Sequence, residues 1–276
     1  MKENLSILVA DADRDSRSQL VELIASLHPG TQIRVAETGT ELFEALQENK
    51  FDLLFLDMVL PYTDVVRLRR IIKYMHSSAG TKLVLITEKL RADWTSIALC
   101  LDAYEVLVKP YKSTAVMKMM GTHADMRKMR DALIVDASAK VRSLLRSVFD
   151  DSQFRMTTVD SETGRRAVRH GRTRKFDIAF IGSSLTDMPA LEVGCQLLNL
   201  SEDKTAIVLM EREITHAASS LAMLGVKDVI QLPFDVVEIN RSLYGALGLW
   251  RPYLMNALIA QRALGVRDSS ERSKVA

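Results

Sequence analysis

The chain has 276 residues, 47% hydrophobic and 26% charged, with a formal net charge of +2. That length suits two domains at about 100–200 residues each, each able to bury a core, and the small net charge gives no signal for a polyanionic partner. Two cysteines, one per half, form no C-x-x-C or Cys/His cluster, which argues against structural zinc and a disulfide framework; with no apolar run of about eighteen residues and no signal-peptide core, a cytoplasmic protein without a membrane partner is expected.

In chain order, strand-like apolar segments fall at 5–10, 31–36, 51–56, 82–87 and 104–108. Leu20, Leu23, Ile24 and Leu27 share one helical face after the first strand. Asp13 or Asp15 would cap that helix and His28-Pro29-Gly30 would end it. Leu42, Ala45 and Leu46 mark a second helix. Alternating strands and helices with short links imply a parallel sheet covered on both faces. The second half repeats the order, with strands expected at 131–135, 155–159, 176–181, 205–210 and 228–232. Asp11 and Asp136 lie 125 residues apart, as do Asp52 and Asp177; Thr87 and Glu211 are separated by 124, and Pro110 and Pro233 by 123.

So small a drift marks an internal repeat: an α/β protein of two tandem (βα)5 domains, 1–125 and 126–250, each with a five-stranded parallel sheet. The boundary is expected within 122–130, where no Gly/Ser or Pro-rich linker appears, so the last helix of the first domain would run nearly into the next strand and stiffen the pair. Met117, Met119, Met120, Met126 and Met129 cluster there and are read as inter-domain core. Residues 251–276 form a C-terminal segment. Within it, 253–264 read as an amphipathic helix that packs on its own domain or offers its apolar face to a partner, and 267–276 as a disordered polar tail.

The chemistry is expected at the strand ends, where open α/β sheets place it. Asp11 follows the first strand, Asp57 the third, Thr87 the fourth and Lys109 the fifth, just before Pro110. Two carboxylates can hold Mg²⁺. A lysine and a hydroxyl facing them suit a transferred phosphoryl group, because both donate to its oxygens.

At Ile7-Leu8-Val9-Ala10-Asp11, Leu56-Asp57-Met58-Val59-Leu60-Pro61, Leu85-Ile86-Thr87 and Leu107-Val108-Lys109-Pro110-Tyr111 the chain resembles the receiver domain of bacterial two-component response regulators. The resemblance implies the flavodoxin-like (βα)5 fold and an aspartyl phosphate on Asp57, donated by a histidine kinase or a histidine phosphotransfer protein. It implies Mg²⁺ at Asp11, Asp57 and the Val59 carbonyl, with Thr87 and Lys109 on the phosphoryl group. It also leaves a homodimer open, since receivers often pair through their last α-β-α face.

The first copy departs from the family at four positions. Ala12 replaces a second acidic metal ligand, with Asp13 one residue late, so Mg²⁺ binding is expected to be weak. Glu88 stands where the family has a small residue and would repel a phosphoryl group by about 1 kcal/mol. Val106 replaces the usual aromatic, and Asp102 a common glycine before the fifth strand. The second copy keeps Asp136, followed by Ala137, but has Gly182, Glu211 and Leu232 where the acceptor, threonine and lysine would stand. It reads as a pseudo-receiver without a nucleophile.

The basic run of Arg165, Arg166, Arg169, His170, Arg172, Arg174 and Lys175 reads as a solvated helix end. No helix-turn-helix or aromatic-interleaved RNA motif points to nucleic acid. No glycine-rich phosphate loop or nucleophile elbow points to an enzyme with its own substrate. The expectation is a response regulator, phosphorylated on Asp57, that acts on a downstream signalling protein by contact. The alternative is a phosphate-independent receiver-like scaffold.

Overall fold

The structure, a computed structural model, describes residues 5–63, 70, 80–90, 93–213 and 218–272. The apolar runs become strands of two separate five-stranded sheets in which every pairing is parallel. In the first, β1 (Ser6–Ala10), β2 (Gln32–Ala36), β3 (Leu53–Asp57), β4 (Lys82–Thr87) and β5 (Ala103–Val108) lie in the order β2-β1-β3-β4-β5. In the second, β6 (Arg130–Val135), β7 (Met156–Ser161), β8 (Ile178–Gly182), β9 (Ala206–Glu211) and β10 (Val226–Gln231) repeat that order. β3, β8 and β9 are buried along their whole length, as central parallel strands between helices must be. This is the two-domain, all-parallel α/β architecture expected from the repeat.

Helices α1 (Arg14–Leu27), α2 (Gly39–Glu48), α3 (Trp94–Cys100) and α4 (Ser113–Met126) connect or follow the first set of strands. Helices α5 (Ala139–Asp150), α6 (Gly164–Thr173), α7 (Ala190–Ser201), α8 (Ala218–Met223) and α9 (Val236–Ala246) do so for the second, and α10 (Tyr253–Arg272) ends the described chain. Of the two acidic residues offered for the first cap, Asp13 takes the position: its Oδ1 accepts from Ser16 N at 2.7 Å. Among the described residues, no helix is long and apolar enough to cross a membrane.

The repeat extends to hydrogen bonds. The Asp52 carboxylate accepts from Ser6 N, and Asp177 from Asp131 N, both at 2.8 Å. Arg17 Nη1 donates to the Asp11 carbonyl at 2.6 Å, and Arg142 Nη1 to that of Asp136 at the same distance. Thr38 and Thr163 cap α2 and α6 through their hydroxyls. Gly225 before β10 has φ +83° and Asp102 before β5 has φ +48°. A left-handed residue is needed at both places, and glycine meets that need without steric cost. Asp102 meets it with a Cβ.

The compact units differ from the expected domains in two respects. One unit comprises the chain up to Met120 together with the chain from Pro252 onward; the other is Gly121–Arg251. The boundary thus falls inside α4 and ahead of 125/126, because the end of that helix is tied into the second unit: Arg155 N donates to the Met126 carbonyl and Tyr244 Oη to Met126 Sδ. The C-terminal helix packs against β5 and α3 of the first unit. Its backbone is helical to Arg272, where a disordered tail had been expected from 267; residues 273–276 lie outside the described residues. Within the methionine cluster, Met119, Met120 and Met126 are buried, whereas Met117 and Met129 are exposed.

The basic run lies on α6 and the loop after it, with Arg165, Arg166, Arg169 and Arg172 exposed. Arg174 pairs with Asp131 and stacks over Phe176 at 5.7 Å.

Candidate functional site

In the order β2-β1-β3-β4-β5 the chain reverses its direction of winding between β1 and β3, and the crevice at such a switch point is where open α/β sheets bind ligands. Asp11 and Asp57 stand at the ends of those two strands. Lys109, just past the end of β5, reaches across to both. Its Nζ lies 2.8 Å from Asp11 Oδ2 and 2.5 Å from Asp57 Oδ2. Asp11 Oδ1 accepts from Asp13 N at 2.9 Å, and Asp57 Oδ1 from Val59 N at 2.8 Å. Three of the expected site residues therefore form one ion cluster, with the Val59 backbone attached to it.

Thr87 ends β4 as expected, but its hydroxyl is turned along the loop. It donates to the Lys89 carbonyl at 3.1 Å and accepts from Lys89 N at 3.3 Å. Asp15, Ser16, Gln19, Glu88, Lys109 and Pro110 line an open cleft of about 650 Å³ beside the cluster. Glu88, the position expected to repel a phosphoryl group, faces this cleft.

Two residues complete the site that the sequence reading left out. Ser16 Oγ donates to Asp11 Oδ2 at 2.8 Å and lies 2.8 Å from Tyr111 Oη, so it bridges the two. The signal for Ser16 was weak: a first-turn serine five residues after a strand-end aspartate. Arg17, which pins the β1–α1 turn and also pairs with Glu37, was legible in the repeat, since Arg142 matches it at the same offset as Asp11 and Asp136.

The charges follow from these contacts. Burial works against ionised Asp11, but hydrogen bonds from Lys109, Ser16 and Asp13 N outweigh it and hold the carboxyl below its usual value. Burial also works against the Lys109 ammonium, and the hydrogen bonds and charges of Asp11 and Asp57 overcome it, raising its pKa. Burial pushes the Tyr111 phenol up to about 12, so it stays a neutral donor.

The second unit has the frame of this site without its acceptor, threonine or lysine. Asp136 is buried, and burial pushes its carboxyl up, only partly opposed by Ser138 N and the charges of Arg142 and Arg212. The same position shifts in opposite directions in the two units because Leu232 stands where Lys109 does. Gly182 occupies the end of β8, and the carboxylate of Asp136 fills the space a side chain there would need: a Cβ at 182 would overlap Asp136 Oδ2 and lie 2.8 Å from its Cγ. Glu211 ends β9 in place of Thr87 and is buried.

A divalent cation was expected at Asp11, Asp57 and Val59. Among the described residues no group of three or more His, Cys, Asp or Glu side chains could hold a metal. Ala12 offers no ligand, and the Asp13 carboxylate is committed to capping α1. The two carboxylates nevertheless share one cation, the Lys109 ammonium, and Mg²⁺ is commonly held by one or two carboxylates with water. The donor set fits Mg²⁺ with Lys109 as its competitor.

Residues 7–120 match the family model of the response regulator receiver domain. That segment carries all five strands of the first unit and the whole Asp11–Lys109–Asp57 cluster. Two solved structures, both of proteins described as two-component system response regulator/GGDEF domain proteins, resemble the chain across both units. One is 15% identical with a TM-score of 0.57, covering 89% of this chain and 100% of its own. The other is 14% identical with a TM-score of 0.59, covering 89% and 98%. At these identities the likeness carries the fold, tandem flavodoxin-like units, and not the GGDEF domain named for those proteins.

Proposed function

We propose that the chain is a phosphorylation-responsive signalling protein in which Asp57 accepts a phosphoryl group and the second unit, a pseudo-receiver, serves contact alone. The observation that carries this reading is the Asp11–Lys109–Asp57 cluster at the switch point of the first sheet, beside an open cleft. The donor is a phosphohistidine of a kinase or phosphotransfer protein, met in the cytoplasm.

In the transfer, an Asp57 carboxylate oxygen bonds to phosphorus while the P–N bond to the donor imidazole breaks, and the imidazole leaves with its electron pair. Phosphoryl transfer demands positioning and charge neutralisation more than covalent help. Val59 N fixes the Asp57 carboxylate, and Lys109 is placed to follow the charge onto the phosphoryl oxygens. Asp11, Asp57 and the Val59 carbonyl would hold Mg²⁺, which when bound supplies charge neutralisation on the same oxygens. Ser16 and Tyr111 keep Asp11 in position. In the second unit the Asp136 carboxylate fills the place of an acceptor, so no transfer occurs there. Output is by contact with a downstream signalling protein.

Incubation of the full chain with Mg²⁺ and acetyl phosphate, followed by intact mass, tests this reading. One phosphoryl group on the wild type and none on Asp57→Asn are expected. An unmodified wild type, or a modified Asp57→Asn, points to the alternative of a phosphate-independent scaffold.

A further inference from the structure

The C-terminal helix returns to the receiver unit after the chain has built the whole second unit, and its first residue touches β5, the strand that precedes Lys109, and α3, the helix that follows the Thr87 loop. Tyr253 N donates to Glu105 Oε2 at 2.8 Å, and Tyr253 Oη lies 2.9 Å from Thr95 Oγ1. Tyr253 packs against the first unit's core cluster, of which Trp94, Ala98 and Val106 are members. Leu254, Met255 and Ala257 behind it are buried.

Each of the two Tyr253 contacts leads back to the site. Glu105 lies on β5, the strand that Lys109 directly follows, and its Oε1 accepts from Val106 N. Thr95 follows Trp94, whose Nε1 donates to the Lys89 carbonyl at 3.1 Å; that carbonyl also receives the hydroxyl of Thr87. A threonine hydroxyl has one hydrogen to give. If it is given to a phosphoryl oxygen on Asp57, the Lys89 carbonyl keeps only the Trp94 indole as donor, and the link from Thr87 through Lys89 to the start of α3 is broken.

We propose that α10 is an intramolecular clamp on the receiver unit, released when the Thr87 hydroxyl turns from Lys89 to a phosphoryl group, with Tyr253 as the residue on which both routes converge. The inference rests on the functional reading above. By linkage the effect is reciprocal: a docked α10 disfavours the phosphorylated arrangement by the same factor by which phosphorylation loosens α10.

The test is hydrogen exchange of the full chain, read by mass spectrometry on a peptide covering 250–262, with phosphorylation tracked by intact mass. In phosphorylated protein the peptide is expected to exchange about tenfold faster, with a peptide from β8 unchanged. Phosphorylated protein whose peptide exchanges as before overturns the clamp, and so does equal acceleration in β8, which is global opening. Failure to take up phosphate is instead a failure of the functional reading. The clamp is then decided by Thr87→Ala without phosphate, where the peptide is expected to exchange several-fold faster than in wild type with β8 unchanged. An unchanged peptide in that variant overturns the clamp.

Discussion

Gly182→Ala isolates the reason the second unit has no acceptor. The backbone at 182 is not left-handed, so the variant tests space alone. The added Cβ would overlap Asp136 Oδ2 and lie 2.8 Å from Cγ, and the Asp136 side chain has to swing away. Doing so breaks the bond from Ser138 N to Asp136 Oδ1, now 2.7 Å, worth about 1.5–3 kcal/mol for a charged acceptor, with overpacking of about 1–3 kcal/mol if the strand shifts instead. A loss of about 3 kcal/mol is expected. Asp136→Ala removes that bond but also a carboxyl that burial already disfavours, so about 1 kcal/mol is expected. In the double variant the nearest remaining atom is Cβ of residue 136 at 3.3 Å, so adding the methyl costs less than about 1 kcal/mol and the coupling is about 2 kcal/mol. The assay is native-state hydrogen exchange of β8 and β9 amides, which reads the opening free energy of this unit in the intact protein. Additive losses in the double variant would refute the claim that Asp136 fills the acceptor's place.

Three further outcomes follow from the first unit. Glu105 is buried, and burial pushes its carboxyl up to about 7, only partly opposed by Val106 N and Tyr253 N. Its contribution to stability is therefore full below about 4.5 and lost as pH rises through about 7, a fall of about 3 kcal/mol that Glu105→Gln should abolish; parallel wild-type and variant stability profiles from pH 4.5 to 7.5 would contradict it. Ala12→Asp supplies the third carboxylate that Asp13, engaged as a helix cap, withholds, so calorimetric titration should show Mg²⁺ binding at least about tenfold tighter; equal affinities would mean another group already ligates. Asp102→Gly relieves a left-handed φ of +48° and should stabilise the first unit by about 1 kcal/mol in urea denaturation, whereas destabilisation would show that the contacts of this carboxylate outweigh the strain.

Much of this fold was legible because parallel strands are buried on both faces and so read as apolar runs: 82–87 is β4 to the residue, and Asp57 and Gly182 end β3 and β8. The strand-end polar residues were legible for the same reason, since a charge closing such a run has to emerge at the sheet's edge. The destination of α10 was not. Its spacing reveals an apolar face but not the surface that receives it, and here the receiving surface is the sheet 148 residues earlier, through Glu105 and Tyr253. The unit boundary escaped because α4 runs through it unbroken, Gly121 included, with no proline or cap to mark the point. The parts played by Ser16 and Tyr111 depend on one hydroxyl meeting another across 95 residues, which no local pattern encodes. Thr87 was placed correctly at the end of β4, yet the direction of its hydroxyl is a rotamer choice set by Lys89.

The central claim, that one aspartate in one unit accepts phosphate, is most directly tested by locating the modification. Treating acetyl phosphate-incubated protein with borohydride reduces an aspartyl phosphate to homoserine, which peptide sequencing by mass spectrometry can place. The account predicts homoserine at position 57 and at no other position. Homoserine elsewhere, or none in protein that intact mass shows to carry a phosphoryl group, would contradict it.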